Sequence, residues 1–390
     1  MASRVVLLLV ILAPAHPVFA QAGNSSPAAP AQPAATNAQE PWWERLTFSG
    51  DFRARFEGFY QAGAPTRQRG RFRLRVGLRA PLAEGLTFHM RVASGDAADV
   101  TSTNQSLTDF WSRKPLNIDQ AALIYNLPEA PALTLGGGKF AYPVTRTQMV
   151  WDDDVNWEGA FEQVTWTTGP VAFRAVAVQS PLNDVGGGAD PFMFGEYFQG
   201  MFRLGGHTVQ LSIADYAFKE ADQIAVALDQ RTAIRTQQTN GVRRNAAGDV
   251  IGYASEFNLV DAIAQVTFDT GRPQYPFTLV ADYVVNTRAV DDQGSGIWLM
   301  GGYGRAASVK TYSVSYTFAR VERDAVISAF NFSDMGPATN VVMNMASFSF
   351  MPITRLNLDA SAILTRRLKG AAGDHHALLK RLQIDARISF

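Results

Sequence analysis

The sequence predicts an all-β fold: a transmembrane, antiparallel, up-and-down β-barrel of about sixteen strands, with short periplasmic turns and long extracellular loops. Apolar and polar residues alternate over many segments of about 9–13 residues, close to the length that a tilted strand needs to cross a bilayer. The connections between these segments also alternate in length. No run after residue 20 approaches the roughly 18 apolar residues of a transmembrane helix.

The overall composition narrows the class of protein. The 390 residues include 35 Lys and Arg, 35 Asp and Glu, and no Cys. This balanced charge argues against a nucleic-acid partner, because nucleic-acid binding requires a strongly basic surface. Without cysteine the chain has no disulfide framework, no thiolate metal site and no thiol nucleophile.

Residues 1–20 are typical of a secretory signal peptide. Arg4 precedes a short apolar run, and Val18 and Ala20 supply the small residues expected before a cleavage site. We expect cleavage after Ala20 and export to the outer membrane of a Gram-negative bacterium. Residues 21–41 are rich in Ala and Pro and are predicted to be a flexible periplasmic linker. Residues 42–390 then form the barrel.

The first strand shows the alternation that supports this fold. Between residues 46 and 57, one face holds Leu46, Phe48, Phe52 and Phe56, and the other holds Asp51, Arg53, Arg55 and Glu57. Side chains of a strand point alternately to its two faces. The apolar face is predicted to contact lipid and the charged face to line a water-filled lumen, since the sheet must close on itself in a membrane.

The same pattern predicts sixteen strands, with boundaries reliable to about 2–4 residues. They are 46–57, 71–80, 85–94, 118–127, 132–140, 159–167, 171–179, 195–204, 207–217, 257–269, 276–287, 308–319, 324–332, 341–351, 354–365 and 378–390. Short links alternate strictly with mostly longer ones under this assignment. Such sorting is typical of a barrel inserted from one side of a membrane.

Residues 42–390 resemble bacterial outer-membrane putative porins, related in appearance to the alginate-export type of barrel. The resemblance is carried by LTFSGDFRARFEG, RFRLRVGLRA, LTFHMRVASGD, LNIDQAALIYNLP, WDDDVNWEGAFEQVTW and the closing LQIDARISF. It implies a barrel whose terminal Phe390 is recognised by the barrel-assembly machinery. No residues of a polysaccharide-binding tunnel can be matched, so alginate export is not carried over.

Seven arginines fall on the predicted luminal face of the first three strands. They are Arg53, Arg55, Arg71, Arg73, Arg75, Arg79 and Arg91. Facing lipid, each would cost about 2–4 kcal/mol near the midplane. Two interpretations remain open and are compatible: an anion-attracting wall of the pore, or a set of ion pairs with Asp51, Glu57 and loop carboxylates that braces the barrel.

The third long link, from residue 141 to 158, carries an acidic segment between tryptophans. Its candidate constriction residues are Trp151, Asp152, Asp153, Asp154 and Glu158. We expect this loop to fold inward and face the arginines, because buried carboxylates need partners. The alternatives are a solvated acidic surface loop, or calcium binding by the Asp cluster, although its spacing is not that of an EF-hand.

The predicted function is passive diffusion of small hydrophilic solutes or ions through the barrel, with a substrate-specific or polysaccharide export channel as the alternative. No catalytic constellation, cofactor site or metal site is predicted. The expected partners are the solutes, outer-membrane lipid, lipopolysaccharide and the barrel-assembly machinery. Barrels of this size are commonly trimers, and the sequence leaves trimer and monomer open.

Overall fold

The computed structural model describes residues 42–231, 234, 237–369 and 377–390. Both the predicted signal peptide and the linker lie outside the described residues. Within these residues, sixteen antiparallel strands close into one sheet, to which the short segment Gln105–Ser106 adds a further pairing, and this confirms the predicted fold class. The strands are β1 Thr47–Tyr60, β2 Arg67–Ala83, β3 Leu86–Ser94, β4 Leu116–Asn126, β5 Leu133–Phe140, β6 Trp157–Thr168, β7 Val171–Pro181, β8 Phe192–Leu204, β9 His207–Lys219, β10 Asn258–Phe268, β11 Phe277–Asn286, β12 Ser295–Gly304, β13 Tyr312–Val321, β14 Val341–Ile353, β15 Leu356–Arg367 and β16 Leu379–Ser389.

The sheet closes where β16 pairs with β1. The register runs from Asp51 opposite Ser389 to Tyr60 opposite Lys380. Next to the Asp51–Ser389 pair, Gly50 and Phe390 exchange two backbone hydrogen bonds of 2.8 and 3.0 Å. A Cβ atom at Gly50 would lie 2.5 Å from the backbone oxygen of Arg75 and 2.5 Å from the Phe390 ring, so this position requires glycine. Closure leaves no open sheet edge, as a lipid environment demands.

The two faces of the strands have the predicted chemistry over most of the barrel. On β1, Phe48 and Phe52 are exposed on the outside, while Arg55 and Glu57 are buried inside. Four carboxylates depart from this pattern, because Glu158 and Glu162 on β6, Glu196 on β8 and Asp215 on β9 are exposed on the outer face. Glu196 lies directly opposite Asp215 in the sheet.

One predicted strand is wrong and one real strand was missed. Residues 295–304 form β12, although a loop was predicted there. The strand was missed because Gly296, Gly301 and Gly302 interrupt the alternation of apolar and polar residues. Residues 324–332 were predicted to be a strand but lie in the loop 322–340 inside the barrel. Their apolar side chains, such as Val326 and Ile327, are buried among other loop residues inside the barrel and do not contact lipid.

The predicted strict alternation of link lengths is also wrong in detail. The turns 269–276 and 305–311 are both longer than the loop 61–66 on the opposite end of the barrel, and 269–276 is as long as the loop 287–294 there. The first loop is short because β1 and β2 extend further than predicted. Sixteen strands were nevertheless predicted, since the false strand and the missed strand compensate in number.

Loops from one end of the barrel fill much of its interior. The third loop (141–156) and the seventh loop (322–340) supply many buried residues, including Met149, Trp151 and Met335. The fifth loop (220–257) contains the helix α1, Asp222–Gln230, and a small hairpin. Part of the second loop (95–115) pairs with β2 through Gln105–Ser106. These loops narrow the lumen and determine what lines it.

Candidate functional site

The predicted arginine wall lies on the inner face of adjacent strands. In the register of β1 with β2, Arg53 is opposite Arg73 and Arg55 is opposite Arg71. These four side chains, together with Arg75, are at most about one-fifth exposed. The pairing of Cα positions brings like charges together, which requires carboxylates between them.

Wall carboxylates neutralise most of this charge. Asp51 accepts hydrogen bonds from Nε of Arg73 at 2.9 Å and from Nε of Arg75 at 2.7 Å. Asp385 on β16 accepts hydrogen bonds from Nε and Nη2 of Arg55, at 2.8 and 2.7 Å. Bidentate contacts of this kind are strong and hold the guanidinium in place. Five of the predicted arginines thus belong to one ion-paired network.

The remaining two predicted arginines lie at the edge of this network. Arg91 on β3 pairs with Asp119 of β4 and reaches Asn156 of the third loop at 3.4 Å. Arg79 is exposed near the turn end of the barrel, opposite Thr47 and His89. The structure therefore separates Arg79 from the rest of the wall.

The network joins Glu57, which was expected to pair with the arginines, to residues of β16 that were not predicted to contribute. Glu57 is fully buried and accepts from Arg381 Nε at 2.8 Å and from Gln383 at 3.0 Å. Arg381, Gln383 and Asp385 lie on β16. Alternation in the closing segment LQIDARISF puts Gln383 and Asp385 on its polar face. Closure of the barrel places this strand beside β1. The polar face of the last strand, together with its pairing to the first, could therefore have identified these residues.

The third loop brings Asp154 against the wall. Asp154 accepts from the backbone and hydroxyl of Thr103, both at 3.1 Å, and lies 3.7 Å from Arg75 and 3.9 Å from Arg73. Burial by itself raises the pKa of this carboxyl, but the guanidinium groups of Arg73 and Arg75 outweigh it and lower the pKa. Asp154 is therefore held as an anion facing the arginines.

Asp152 has a different environment although it lies two residues away. It is buried and accepts from the backbone of Asp154 at 2.9 Å and from the backbone and hydroxyl of Ser333 at 2.9 and 3.0 Å. Burial, together with the nearby charge of Asp154, raises its pKa well above the ordinary value. Asp152 thus acts as a hydrogen-bonded junction between loops.

The other two predicted acidic residues of this segment have separate partners. Asp153 is partly exposed and pairs with Arg146 at 2.7 Å. Glu158 does not face the lumen, because it is the second residue of β6, lies on the outer face and pairs with Lys139 at 2.6 Å. Its prediction as a constriction residue is wrong, since the strand starts two residues earlier than predicted and Glu158 becomes a strand residue on the outer face. The acidic side chains therefore do not share one ligand site.

Trp151 anchors the third loop inside the barrel. Its ring centroid lies 5.1 Å from Trp157, 5.3 Å from Tyr216 and 5.8 Å from Phe330. The side chain is 2 % exposed. Since buried aromatic pairs add stability beyond their buried area, this cluster fixes the acidic segment in position.

The seventh loop was not predicted to contribute and completes the site. The backbone N–H of Asp152 donates to Phe330 O at 2.7 Å, and that of Phe332 donates to Gln148 O at 3.0 Å. Asp334 of the same loop contacts Arg55 at 3.3 Å and Arg381. Burial alone raises the pKa of Asp334, but Arg381 and Arg55 hold it well below the ordinary value.

The wall opposite the arginines also carries carboxylates. Asp261 on β10 and Asp282 on β11 face inward and are each 2 % exposed. Thr147 of the third loop donates its hydroxyl hydrogen to Asp282. The third loop therefore spans the lumen, with Thr147 on this acidic pair and Asp154 on the arginine wall.

A cavity of about 230 Å³ lies between the arginine wall and the two inward loops. Its lining includes Arg53, Arg55 and Arg73 from the strands, and Asp152, Asp154 and Asp334 from the loops. Both charge signs therefore face the same small aqueous space. An arrangement of this kind selects solutes by size and by charge.

Comparisons with known proteins agree with this architecture. Residues 59–184 match the model of a family described as putative porin, which confirms the resemblance over this part of the chain. The fold is similar to that of Pseudomonas putida OprB in its high-pH structure, with a TM-score of 0.57 at 14% identity over 88% of this chain and 94% of that one. It is also similar to Salmonella typhi OmpF in complex with daunomycin, with a TM-score of 0.52 at 8% identity over 88% and 97% of the two chains.

A third solved structure is similar as well. A loop-deletion variant of Vibrio cholerae OmpT has a TM-score of 0.51 at 9% identity, covering 88% of this chain and 99% of that one. No curated protein matches the sequence. Among the described residues, no helix has the length and apolar character needed to span a membrane.

Proposed function

We propose that this chain is an outer-membrane porin through which small hydrophilic solutes or ions diffuse passively. The observation that carries the proposal is the third loop, which crosses the lumen of a closed barrel and sets Asp154 against Arg73 and Arg75. A barrel with an apolar exterior and a charged, narrowed interior is suited to conduct water-soluble molecules. It needs no covalent chemistry to do so.

The charge around the constriction favours anions. The guanidinium groups of the wall outnumber its carboxylates: Arg53, Arg55, Arg69, Arg71, Arg73, Arg75 and Arg381 face Asp51, Glu57, Asp154, Asp334 and Asp385. Asp152 adds less negative charge, because its pKa is raised. The surplus positive charge raises the local concentration of anions in the narrow part of the lumen.

Size is limited by the loops. The third and seventh loops are joined to each other and to the wall, so the space beside them is small. This geometry favours small solutes over a polymer, and it supports diffusion of ions and small molecules over polysaccharide export. Cleavage after Ala20, assembly through Phe390, contact with lipopolysaccharide and a trimeric state belong to the same proposal.

Conductance in planar bilayers tests the proposal. We expect the purified mature chain to insert in steps and to pass a current proportional to voltage. A chain that stays in aqueous buffer without detergent, or that inserts without conducting, would contradict a pore function. The solute range follows from the reversal potential in a salt gradient and from currents measured with larger organic ions.

Arginine variants test the charge selectivity. Replacing Arg71, Arg73 and Arg75 by Ser should shift selectivity towards cations, because Asp51 and Asp154 then lose their cationic partners. The matched control is Arg288→Ser, since Arg288 is largely exposed on a loop and pairs with Glu256. An unchanged reversal potential in the triple variant would mean that these residues only brace the wall.

A further inference from the structure

We propose that Arg53 is the seat of an anion-binding site inside the cavity, which takes the single carboxylate or phosphate group of a small hydroxylated solute. This inference rests on the proposed pore function and adds a saturable site to it. Arg53 would hold the anionic group, and the neutral polar groups around it would contact the hydroxyls of the solute. The site lies on the path along the arginine wall.

Arg53 differs from the other arginines of the cavity in its partners. Arg55 makes a bidentate contact with Asp385, and Arg73 contacts Asp51 through both Nε and Nη2. Of its five N–H donors, Arg53 uses one, from Nη2 to the neutral Asn104 Oδ1 at 2.6 Å, among the described residues. Its nearest carboxylate, Asp385, is 3.8 Å away and already holds Arg55.

The side chain of Arg53 is also the most accessible of the three. It is 13% exposed, compared with 7% for Arg55 and 9% for Arg73. The second loop holds the guanidinium in place through Asn104, which in turn donates to Ser102 at 3.2 Å. A positioned cation with unused donors at the edge of a cavity binds an anion with little reorganisation.

The carboxylates of the cavity cannot serve a cationic ligand in the same way. Asp154 faces Arg73 and Arg75, Asp334 faces Arg55 and Arg381, and Asp153 pairs with Arg146. Asp152 accepts three hydrogen bonds from the protein. The charged group of the cavity that is left with free hydrogen-bonding positions is therefore the Arg53 guanidinium, which is positive.

The rest of the lining suits hydroxyl groups. Asn104, Ser347, Ser361 and Gln383 line the cavity with hydroxyl and amide groups. Ser347 and Ser361 lie 2.9 Å apart and share a hydrogen bond, so each retains further hydrogen-bonding capacity. The hydroxyl and amide groups beside Arg53 favour a hydroxylated monoanion over a simple halide, because the hydroxyls of the solute can also donate hydrogen bonds and a halide cannot.

Block of the chloride current measures binding at this site. Gluconate and inorganic phosphate are added separately to single channels in potassium chloride, with glucose as the neutral comparison. We expect gluconate, phosphate or both to reduce the current with a half-blocking concentration well below that of glucose. Block by gluconate alone identifies a carboxylate ligand, and block by phosphate alone identifies a phosphate ligand.

Variants assign the block to Arg53. Arg53→Ser should raise the half-blocking concentration at least about tenfold, the scale of one charged hydrogen bond. Arg53→Lys keeps the charge without the planar fork and should give a smaller increase. The control is Arg288→Ser, since Arg288 is largely exposed on a loop, lies outside the cavity lining and pairs with Glu256. It should leave the block within about twofold of the wild type, because a group outside the site makes no charged hydrogen bond to the ligand.

The outcomes separate this inference from the pore function. A wild-type chain that does not conduct overturns the pore. Conduction without anion block, block equal to that by glucose, or equal block in Arg53→Ser overturns the site alone. If Arg53→Ser does not insert, an unchanged block in Arg53→Lys overturns it instead.

Discussion

The backbone N–H of Ser333, in the seventh loop, donates to Oδ2 of Asp152 in the third loop at 2.9 Å. Two backbone hydrogen bonds, Asp152 to Phe330 and Phe332 to Gln148, continue the junction. The two loops therefore form one unit inside the barrel, with Asp154 and Asp334 pointing at the arginine wall from its two halves. The properties of the constriction depend on this junction as much as on the wall.

Removing the Asp152 carboxylate should loosen the junction. Asp152→Ala leaves buried donors of Ser333 and Asp154 without an acceptor, at a cost of about 1–3 kcal/mol for each unsatisfied group. We expect noisier single-channel currents and a lower midpoint of thermal unfolding in detergent. Asp153→Ala is the control, because that carboxylate is partly exposed. Equal current noise in the two variants would contradict a special role for Asp152.

The same junction should respond to pH. The folded pKa of Asp152 is raised above 3.8, so its stabilising effect is complete below 3.8 and is lost as the pH rises through the folded value. The pKa values of Asp154 and Asp334 are lowered, so their contribution is present above 3.8 and is lost only as the pH falls below it. Current noise should therefore increase from about pH 4 upward.

Amide variants check this assignment. Asp152→Asn should abolish the increase in current noise with pH, because no proton is then released at that position. Asp154→Asn should retain the increase while changing the ion selectivity. A pH response that survives in Asp152→Asn would assign the titration to another group.

Removing the Trp151 ring, which anchors the third loop, should also widen the constriction. Trp151→Ala removes a buried ring that contacts Trp157, Tyr216 and Phe330, and such truncations cost about 3–5 kcal/mol. We expect a larger and less stable conductance. Trp166→Ala is matched to it, since Trp166 is 39% exposed on the outer face. If both variants conduct like the wild type, the loop is held by its polar contacts alone.

The exposed carboxylates on the outer face predict a stabilising substitution. Glu196 lies directly opposite Asp215, and like charges facing each other across strands are destabilising by about 0.2–1 kcal/mol. Glu196→Gln should therefore raise the thermal midpoint in detergent. Glu162→Gln is the control, because Glu162 faces Ala177 and accepts from Gln179 at 3.1 Å. A lower midpoint for Glu196→Gln would indicate that the carboxylate has a favourable partner in the membrane.

Much of the fold follows from local pattern. Alternation alone places Phe52 outside and Arg53 inside, because consecutive side chains of a strand face opposite ways. The same rule fails at residues 295–304, where glycines remove the apolar signal, and at 324–332, where apolar residues are buried inside a lumen. Neither case can be recognised locally, since a buried loop and a lipid-facing strand have similar compositions.

The sequence by itself determined the barrel, the inner face of its first strands and the acidic character of the third loop, because each depends on neighbouring residues. Tertiary structure decided the rest. Only closure brings Asp385 and Arg381 beside Arg55 and Glu57, and only the inward path of the seventh loop brings Asp334 to them. Ion pairing depends on distance in space, and a separation of 330 residues between Arg55 and Asp385 leaves no local trace.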